Sequence, residues 1–290
     1  MIALGDFRID RAVEYEGPFI RPGELFPDFD AAELEGHDWL GPIFEPGAGR
    51  MMLSFHSFVL RTGRHTILID TCMGNDKERP GREIGHLRRT DFPARLAAAG
   101  VKLEEVDFVM CTHLHWDHVG WNTRLQDGQW VPTFPRARYV MARPEYEHRD
   151  AMHARGERRL HDLSFADSIL PLVRAEQALI VDDGHAIEDG VWLEVCPGHT
   201  PGNAVINVRS GQARGVFSGD TIHSPMQFVR PDWSSTACAD PVQAAAARRG
   251  LMEQHADTPT LVMPAHFLAP SAGRILSRGN AFAFASAEEA

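Results

Sequence analysis

Four apolar, β-branched runs in this chain stop at the same kind of residue. "EVDFVMCT" leads into His113, His115, Asp117 and His118; "VWLEVCPG" ends at His199; "ARGVFSG" ends at Asp220; "TLVMPA" ends at His266. Short apolar runs bounded by Gly and Pro read as buried strands. A ligand-type side chain just past each one belongs at the rim of a sheet, where loops carry chemistry on a rigid scaffold. A fold for this chain must bring these strand ends together.

The rest of the chain predicts what surrounds them. Residues 1–12 read as a short strand. Residues 14–50 read as an irregular arm rich in Pro, Gly and acidic residues, with Phe19, Phe26, Phe29, Trp39 and Phe44 scattered along it. An arm of that length in a compact domain is either functional or disordered. Its aromatics imply that it packs on something, as a lid or as a plain N-terminal wrap. "MLSFHSFVLRTGRHTILIDTC" is two apolar runs joined at "RTGRH", a hairpin signal. "RARYVMA", "ALIVD" and "NAVINVRS" are further strands.

Helical spacing marks four segments: "DFPARLAAAG", closed by Gly100; "RPEYEHRDAMHARGE"; "SFADSILPLVRAEQ", with Ser164 as a cap and Pro171 as a kink; and "DPVQAAAARRGLMEQHA", with Asp240 as N-cap and Pro241 at the first helical position. Strands interrupted by helices in both halves predict a layered α/β protein, with sheets inside and helices outside. All of residues 1–290 fit one domain, with 14–50 as its arm.

Charge narrows the partners. A formal net charge of -11 and no Lys/Arg cluster exclude a basic nucleic-acid footprint and disfavour anionic membrane surfaces. No apolar stretch is long enough for a membrane span, and the N-terminus has early charges in place of a signal-peptide core. The four cysteines, Cys72, Cys111, Cys196 and Cys238, make no C-x-x-C pair and suggest no disulfide framework. These features point to a cytoplasmic protein that acts on a small molecule; a homodimer is one assembly they allow.

A lone H-x-H pair arises easily by chance. His113, His115, Asp117 and His118 within six residues, with Gly120 following, form a much more specific pattern. With His199, Asp220 and His266 it supplies five histidines and two aspartates, a donor set for two ions. Imidazole and carboxylate suit Zn²⁺, and also Mn²⁺, Fe²⁺ or Co²⁺. A carboxylate between the ions is needed because cations about 3.5 Å apart repel each other.

The pattern H-x-H-x-D-H, then His, then Asp, then His resembles the metallo-β-lactamase-fold hydrolases. "ILIDTCMG", Ile67 to Gly74, is similar to that family's strand-end Asp motif, and the likeness runs from about Ser54 to His266. The resemblance implies a four-layer αβ/βα sandwich with two metals in a cleft at one edge of the sheets. It implies that His113, His115 and His199 hold one metal, that Asp117, His118 and His266 hold the other, and that Asp220 bridges them. Asp70 would act behind the ligands or simply close a turn.

Departures within the family separate its branches. True β-lactamases of this fold carry cysteine where Asp220 stands. Glyoxalase II-like enzymes continue Gly-Gly where this chain has Gly120-Trp121. Acyl homoserine lactonases share all seven ligands but carry tyrosine where this chain has His223. "GDTIHSPMQF" looks more like the methyl parathion hydrolase and lactonase/esterase-like subgroup. The resemblance thus implies a hydrolase in which a metal-bridging hydroxide opens a lactone or cleaves an ester, with Asp117 and His223 as catalytic residues. A phosphotriesterase and an iron-dependent sulfur oxygenase of the same fold are the alternatives. For His223, a loop histidine bonded to a backbone carbonyl is the plainer reading. Trp116, Trp121, Met226, Phe228 and Phe267 neighbour the ligand motifs, so they either form an apolar pocket or belong to the core.

Overall fold

Alternation along the strands builds two sheets back to back. The computed structural model describes residues 1–41, 43–156 and 160–287. The first sheet collects β1 (Ile2–Leu4), β2 (Phe7–Pro18), β3 (Met52–Arg61), β4 (Thr66–Ile69) and β5 (Phe108–Met110). After an outlying hairpin of β6 (Thr123–Gln126) and β7 (Gln129–Pro132), it is completed by β8 (Arg138–Ala142) and β9 (Ala178–Val181), in the order β1-β2-β3-β4-β5-β8-β9. The second sheet runs in chain order: β10 (Ala186–Glu188), β11 (Val191–Val195), β12 (Ala204–Ser210), β13 (Ala213–Gly219), β14 (Leu261–Pro264), β15 (Gly273–Arg278) and β16 (Ala281–Ser286).

Successive side chains on a strand face opposite ways, so each strand feeds two cores. Ile67, Ile69, Met110 and Val140 of the first sheet meet Leu193, Ile206, Phe217 and Met263 of the second. Of the helices α1 (Pro22–Leu25), α2 (Phe92–Ala98), α3 (Arg143–Ala154), α4 (Leu160–Ser168) and α5 (Leu170–Arg174), α2, α4 and α5 cover the outward neighbours Leu68, Val109 and Tyr139 through Phe92, Leu96, Phe165 and Leu172. On the far side Val205, Val216 and Val262 pack on Phe228 and on Leu251 and Met252 of the long helix Pro241–His255. The result is the predicted αβ/βα sandwich. Strands β4, β5, β8 and β9 run parallel, as do β13 and β14, so the chain leaves them at one edge.

The structure corrects several sequence expectations. The N-terminal strand is two strands turned at Gly5 and Asp6, and β2 continues to Pro18, so residues 14–18 are strand and not irregular arm. The pairing of β2 with β3 shifts register between Val13 and Tyr15, a bulge that turns Glu14 inward. Residue 42 of the arm and the last residue of "RPEYEHRDAMHARGE" lie outside the described residues. Ser164 sits inside α4, which runs from Leu160, and is not its N-cap. The helix is interrupted at Ile169, and Pro171 sits in the first turn of α5, where its missing N–H does no harm. Asp240 does cap its helix, accepting a hydrogen bond from Gln243 N–H at 2.9 Å.

The loop from β4 to α2 is anchored by buried charge. Arg79 makes a two-point contact with Asp167, at 2.7 and 2.9 Å, and the Lys77 ammonium lies 2.6 Å from Thr123 Oγ1 and 3.5 Å from the centre of the Trp130 ring. Burial pushes the Lys77 amine down to about 7, against the pull of Asp167. Between pH 7 and the ordinary value of 10.5 the unfolded chain then holds a proton that the folded chain lacks. Lys77 therefore makes stability rise with pH across that window, by up to about 1.4 kcal/mol per pH unit, and the gain is lost as pH falls through 7. Urea unfolding of wild type and Lys77→Met across the window should show a steeper rise for wild type; parallel curves would mean that the amine stays charged.

Candidate metal centre

Seven predicted residues from both sheets converge at this edge. Among the described residues, His113, His115, His199 and Asp220 form one group of metal-type donors, and Asp117, His118 and His266 form a second. In the first group His199 Nε2 lies 3.2 Å from His113 Nε2 and 3.0 Å from His115 Nδ1. Asp220 stands between the groups. Its Oδ1 is 3.2 Å from His118 Nε2 and 3.0 Å from His266 Nε2, while its Oδ2 is 3.3 Å from His199 Nε2 and 3.8 Å from His113 Nε2. Asp117 Oδ2 completes the second group at 3.8 Å from both His118 Nε2 and His266 Nε2.

The outer nitrogens explain why the inner ones can act as donors to an ion. Thr112 Oγ1 donates to Asp70 Oδ2 at 2.7 Å, so its lone pair accepts from His113 Nδ1–H at 3.1 Å. Asp70 Oδ2 also accepts from His118 Nδ1–H at 2.8 Å, and its Oδ1 accepts the Thr112 N–H at 2.8 Å. His266 Nδ1–H donates to the Ser54 carbonyl at 3.1 Å, and His199 Nδ1 is 3.5 Å from Cys238 Sγ. Fixing the outer N–H leaves the inner lone pairs turned to the centre, the arrangement metal-ligating imidazoles adopt. Asp70 is therefore held behind the candidate donors. A left-handed backbone, φ 56°, aims its carboxylate back at them.

The electrostatics ask for positive charge. Burial would raise the Asp220 carboxyl, but His118, His266 and His223 outweigh it and hold it well below the ordinary carboxylate range. Burial would likewise lower His118, yet Asp220, Asp70 and Asp117 hold it well above the ordinary imidazole value. His118 Nε2 and Asp220 Oδ1 are buried without a hydrogen-bond partner. Two buried carboxylates that draw protons onto the imidazoles around them fit a centre for divalent cations, which would take the place of those protons.

His223 also arrives, with Nε2 3.3 Å from Asp220 Oδ2 and 3.3 Å from Ser235 Oγ. Its backbone N–H donates to Gln227 Oε1 at 2.7 Å, and among the described residues no backbone carbonyl is hydrogen-bonded to its ring. Burial keeps its pKa down, so the ring is neutral near pH 7.

Over the donors opens a cavity of about 300 Å³. Its apolar walls are Phe19, Ile20, Leu25, Leu53, Phe55 and Trp116. Of the five aromatic and Met residues singled out from the sequence, only Trp116 lines this space. Trp121 stacks on Phe92, with ring centres 5.5 Å apart, and donates to Glu14 Oε1 at 2.7 Å. Met226, Phe228 and Phe267 belong to the apolar clusters behind the site. The arm supplies the walls instead: Phe19, Ile20, Leu25, Phe26 and Phe29 pack with Phe55, Trp116 and Trp233.

Two buried glutamates were not read from the sequence. Glu14 accepts from Met73 N–H at 2.7 Å and from Trp121, and Glu145 accepts from Leu114 and Gly202. Neither sits in a metal-type pattern; the nearest signal is Glu145's place in the first turn of a helix.

The profile of the metallo-beta-lactamase superfamily matches residues 54–266. The chain belongs to the metallo-beta-lactamase superfamily. As a member that keeps both donor groups, it is a dinuclear metal-dependent hydrolase. No curated protein matches it. Among solved structures, it is similar to AidC, a dizinc quorum-quenching lactonase in complex with a product, N-hexanoyl-L-homoserine. That likeness has TM-score 0.80 and 22% identity, over 98% of this chain and 96% of the other. It is also similar to AbOPH, a hydrolase in the beta lactamase superfamily, at TM-score 0.81 and 23% identity over 98% and 96% of the two chains. A probable metal-dependent hydrolase from Staphylococcus aureus matches at TM-score 0.76 and 18% identity, over 99% of each. At these identities the likeness is one of fold. No described helix is long and apolar enough to cross a membrane.

Proposed function

We propose that this superfamily member hydrolyses lactones or esters of hydrophobic, uncharged small molecules. The observation that carries the proposal is the cavity, whose apolar walls stand directly over both donor groups. In this reading His113, His115 and His199 hold one ion, Asp117, His118 and His266 hold the other, and Asp220 lies between them; zinc is the metal that suits the donors best. Two bound divalent cations supply an acidified water and a Lewis acid for the acyl oxygen. The chain's own residues supply position. Asp117 lines the cavity and accepts a hydrogen bond from the attacking water, fixing its direction. Leu53, Phe55 and Trp116 exclude bulk water from the acyl group. The arm residues Phe19, Ile20 and Leu25 close the same space, so we assign the arm a lid role.

His223 is the second catalytic residue of the proposal. Its Nε2, beside Asp220 Oδ2, lies where a neutral imidazole can donate one hydrogen bond to the oxygen that gains charge. His223→Ala should lower kcat by roughly 30- to 1,000-fold, the scale of about 2–4 kcal/mol for one such donor, while both ions stay bound. An unchanged kcat and KM on several substrates would make His223 a bystander. For the activity itself, the metal-reconstituted protein should be assayed on lactones, aryl esters and phosphotriesters. Lactone or ester turnover that disappears on chelation is expected; cleavage of phosphotriesters alone would favour the other hydrolytic chemistry, and no turnover would contradict the proposal.

A further inference from the structure

We infer that Glu145 is a positioning residue for the three-histidine group, joining the two loops that carry it; this rests on the reading that those histidines hold an ion. One loop follows β5 of the first sheet and brings His113 and His115. The other lies between β11 and β12 of the second sheet and brings His199. The group is thus assembled across the seam between sheets, and its geometry depends on how the two loops are held to each other.

Glu145 spans that seam. It lies in the first turn of the helix Arg143–Ala154, where the helix dipole favours a carboxylate. Its Oε1 accepts the N–H of Leu114, the residue between His113 and His115, at 3.2 Å. Its Oε2 accepts the N–H of Gly202, three residues past His199, at 3.1 Å. Arg149, one turn along the helix, lies 3.2 Å from Oε1 and balances the charge. Glu145 is 1% exposed and Arg149 5%, so water is a poor substitute for either partner. The fit leaves no room for adjustment: a Cβ on Gly202 would stand 2.1 Å from the Glu145 amide nitrogen. A backbone bond from Ala204 N–H to the Thr112 carbonyl, 2.8 Å, crosses the same seam nearer the strands. Glu145 closes it again beside the ligands.

The second group does not use this tie. Its only residue from the second sheet, His266, is bonded to Ser54 through Nδ1 and through its own carbonyl. Weakening the Glu145 tie should therefore loosen one ion and spare the other. A residue that merely supported the fold would affect both alike.

The test is competitive chelation of zinc from purified wild type, Glu145→Gln and Glu145→Gln/Arg149→Met, with cobalt(II) spectra to show which site empties. Gln keeps the shape but offers one acceptor oxygen for two N–H groups. The double variant leaves no buried charge unpaired, and carries the same comparison should the single variant be too unstable to purify. Expected in both variants is a loss of about 10- to 100-fold in affinity at the three-histidine site, with the other site within severalfold of wild type. The inference is overturned if both sites keep wild-type affinity or weaken together, or if the double variant regains wild-type affinity, which would trace the effect to a stranded Arg149. A wild type that binds no ions would defeat the two-metal reading and this inference with it; a wild type that binds two while neither variant changes would defeat the inference alone.

Discussion

Asp220→Asn is expected to cut turnover by about a hundredfold or more while leaving the fold intact. Each carboxylate oxygen of Asp220 faces a different donor group, Oδ1 toward His118 and His266, Oδ2 toward His199 and His113. Asparagine keeps one oxygen and turns an NH₂ toward a centre that gathers cations. It also removes the negative charge that offsets repulsion between ions about 3.5 Å apart. The fold should survive because Asp220's side-chain contacts are with the histidines of the site. Turnover, metal content and thermal unfolding of the purified variant check this together. Wild-type rate and metal content would show that Asp220 does not lie between two ions.

Gly120→Ala should have the largest effect on stability, above about 4 kcal/mol, with most of the protein recovered unfolded or without metal. Three backbone bonds stitch the ligand loop to the loop after β4: Thr71 to His118 at 2.6 Å, Gly120 to Cys72 at 2.7 Å and Trp121 to Thr71 at 2.9 Å. Gly120 lies inside that stitch. A Cβ there would meet the Met73 carbonyl oxygen at 1.8 Å, against backbone that cannot swing aside. Parting the loops would break these bonds and pull His118 from Asp70. Soluble expression and thermal unfolding measure it. A variant as stable as wild type would mean that the two loops can separate without loss.

The site was legible because its chemistry and its position use the same signal. Each donor-type residue or its loop follows an apolar, β-branched run, so the strand pattern located the residues and their types marked them as candidate metal donors. The layered fold was readable for a related reason. Buried β4, β5 and β8 are nearly continuous apolar runs, and Asp240-Pro241 opens a helix through capping that needs no distant partner.

What escaped depends on contacts distant in sequence. The arm's aromatics, Phe19 among them, pointed to packing on something, but not to where: Phe19, Ile20 and Leu25 wall the cavity from about ninety residues before His115, in a stretch whose Pro and Gly hide any period. Glu14 faces inward only because a bulge shifts β2, and in sequence it is one acidic residue among several. Glu145 accepts backbone N–H groups, which leave no side-chain pattern to read. Ser164 misled because a serine before an apolar stretch looks like a cap, whereas it lies inside α4, which packs against α3 (Arg143–Ala154). The hairpin of β6 and β7 and the pair β15 and β16 did carry signals, an Asp127-Gly128 turn and the alternation of "AFAFAS", and both were readable in principle.

The central claim is that two divalent ions occupy this centre and drive hydrolysis. Its most direct test is elemental analysis of the purified protein, with the rate on a hydrophobic lactone followed as metal is removed and restored. The account predicts two divalent ions per chain, one for each donor group, and a rate that vanishes and returns with them. A single redox-active iron per chain, with no metal-dependent hydrolysis, would contradict it.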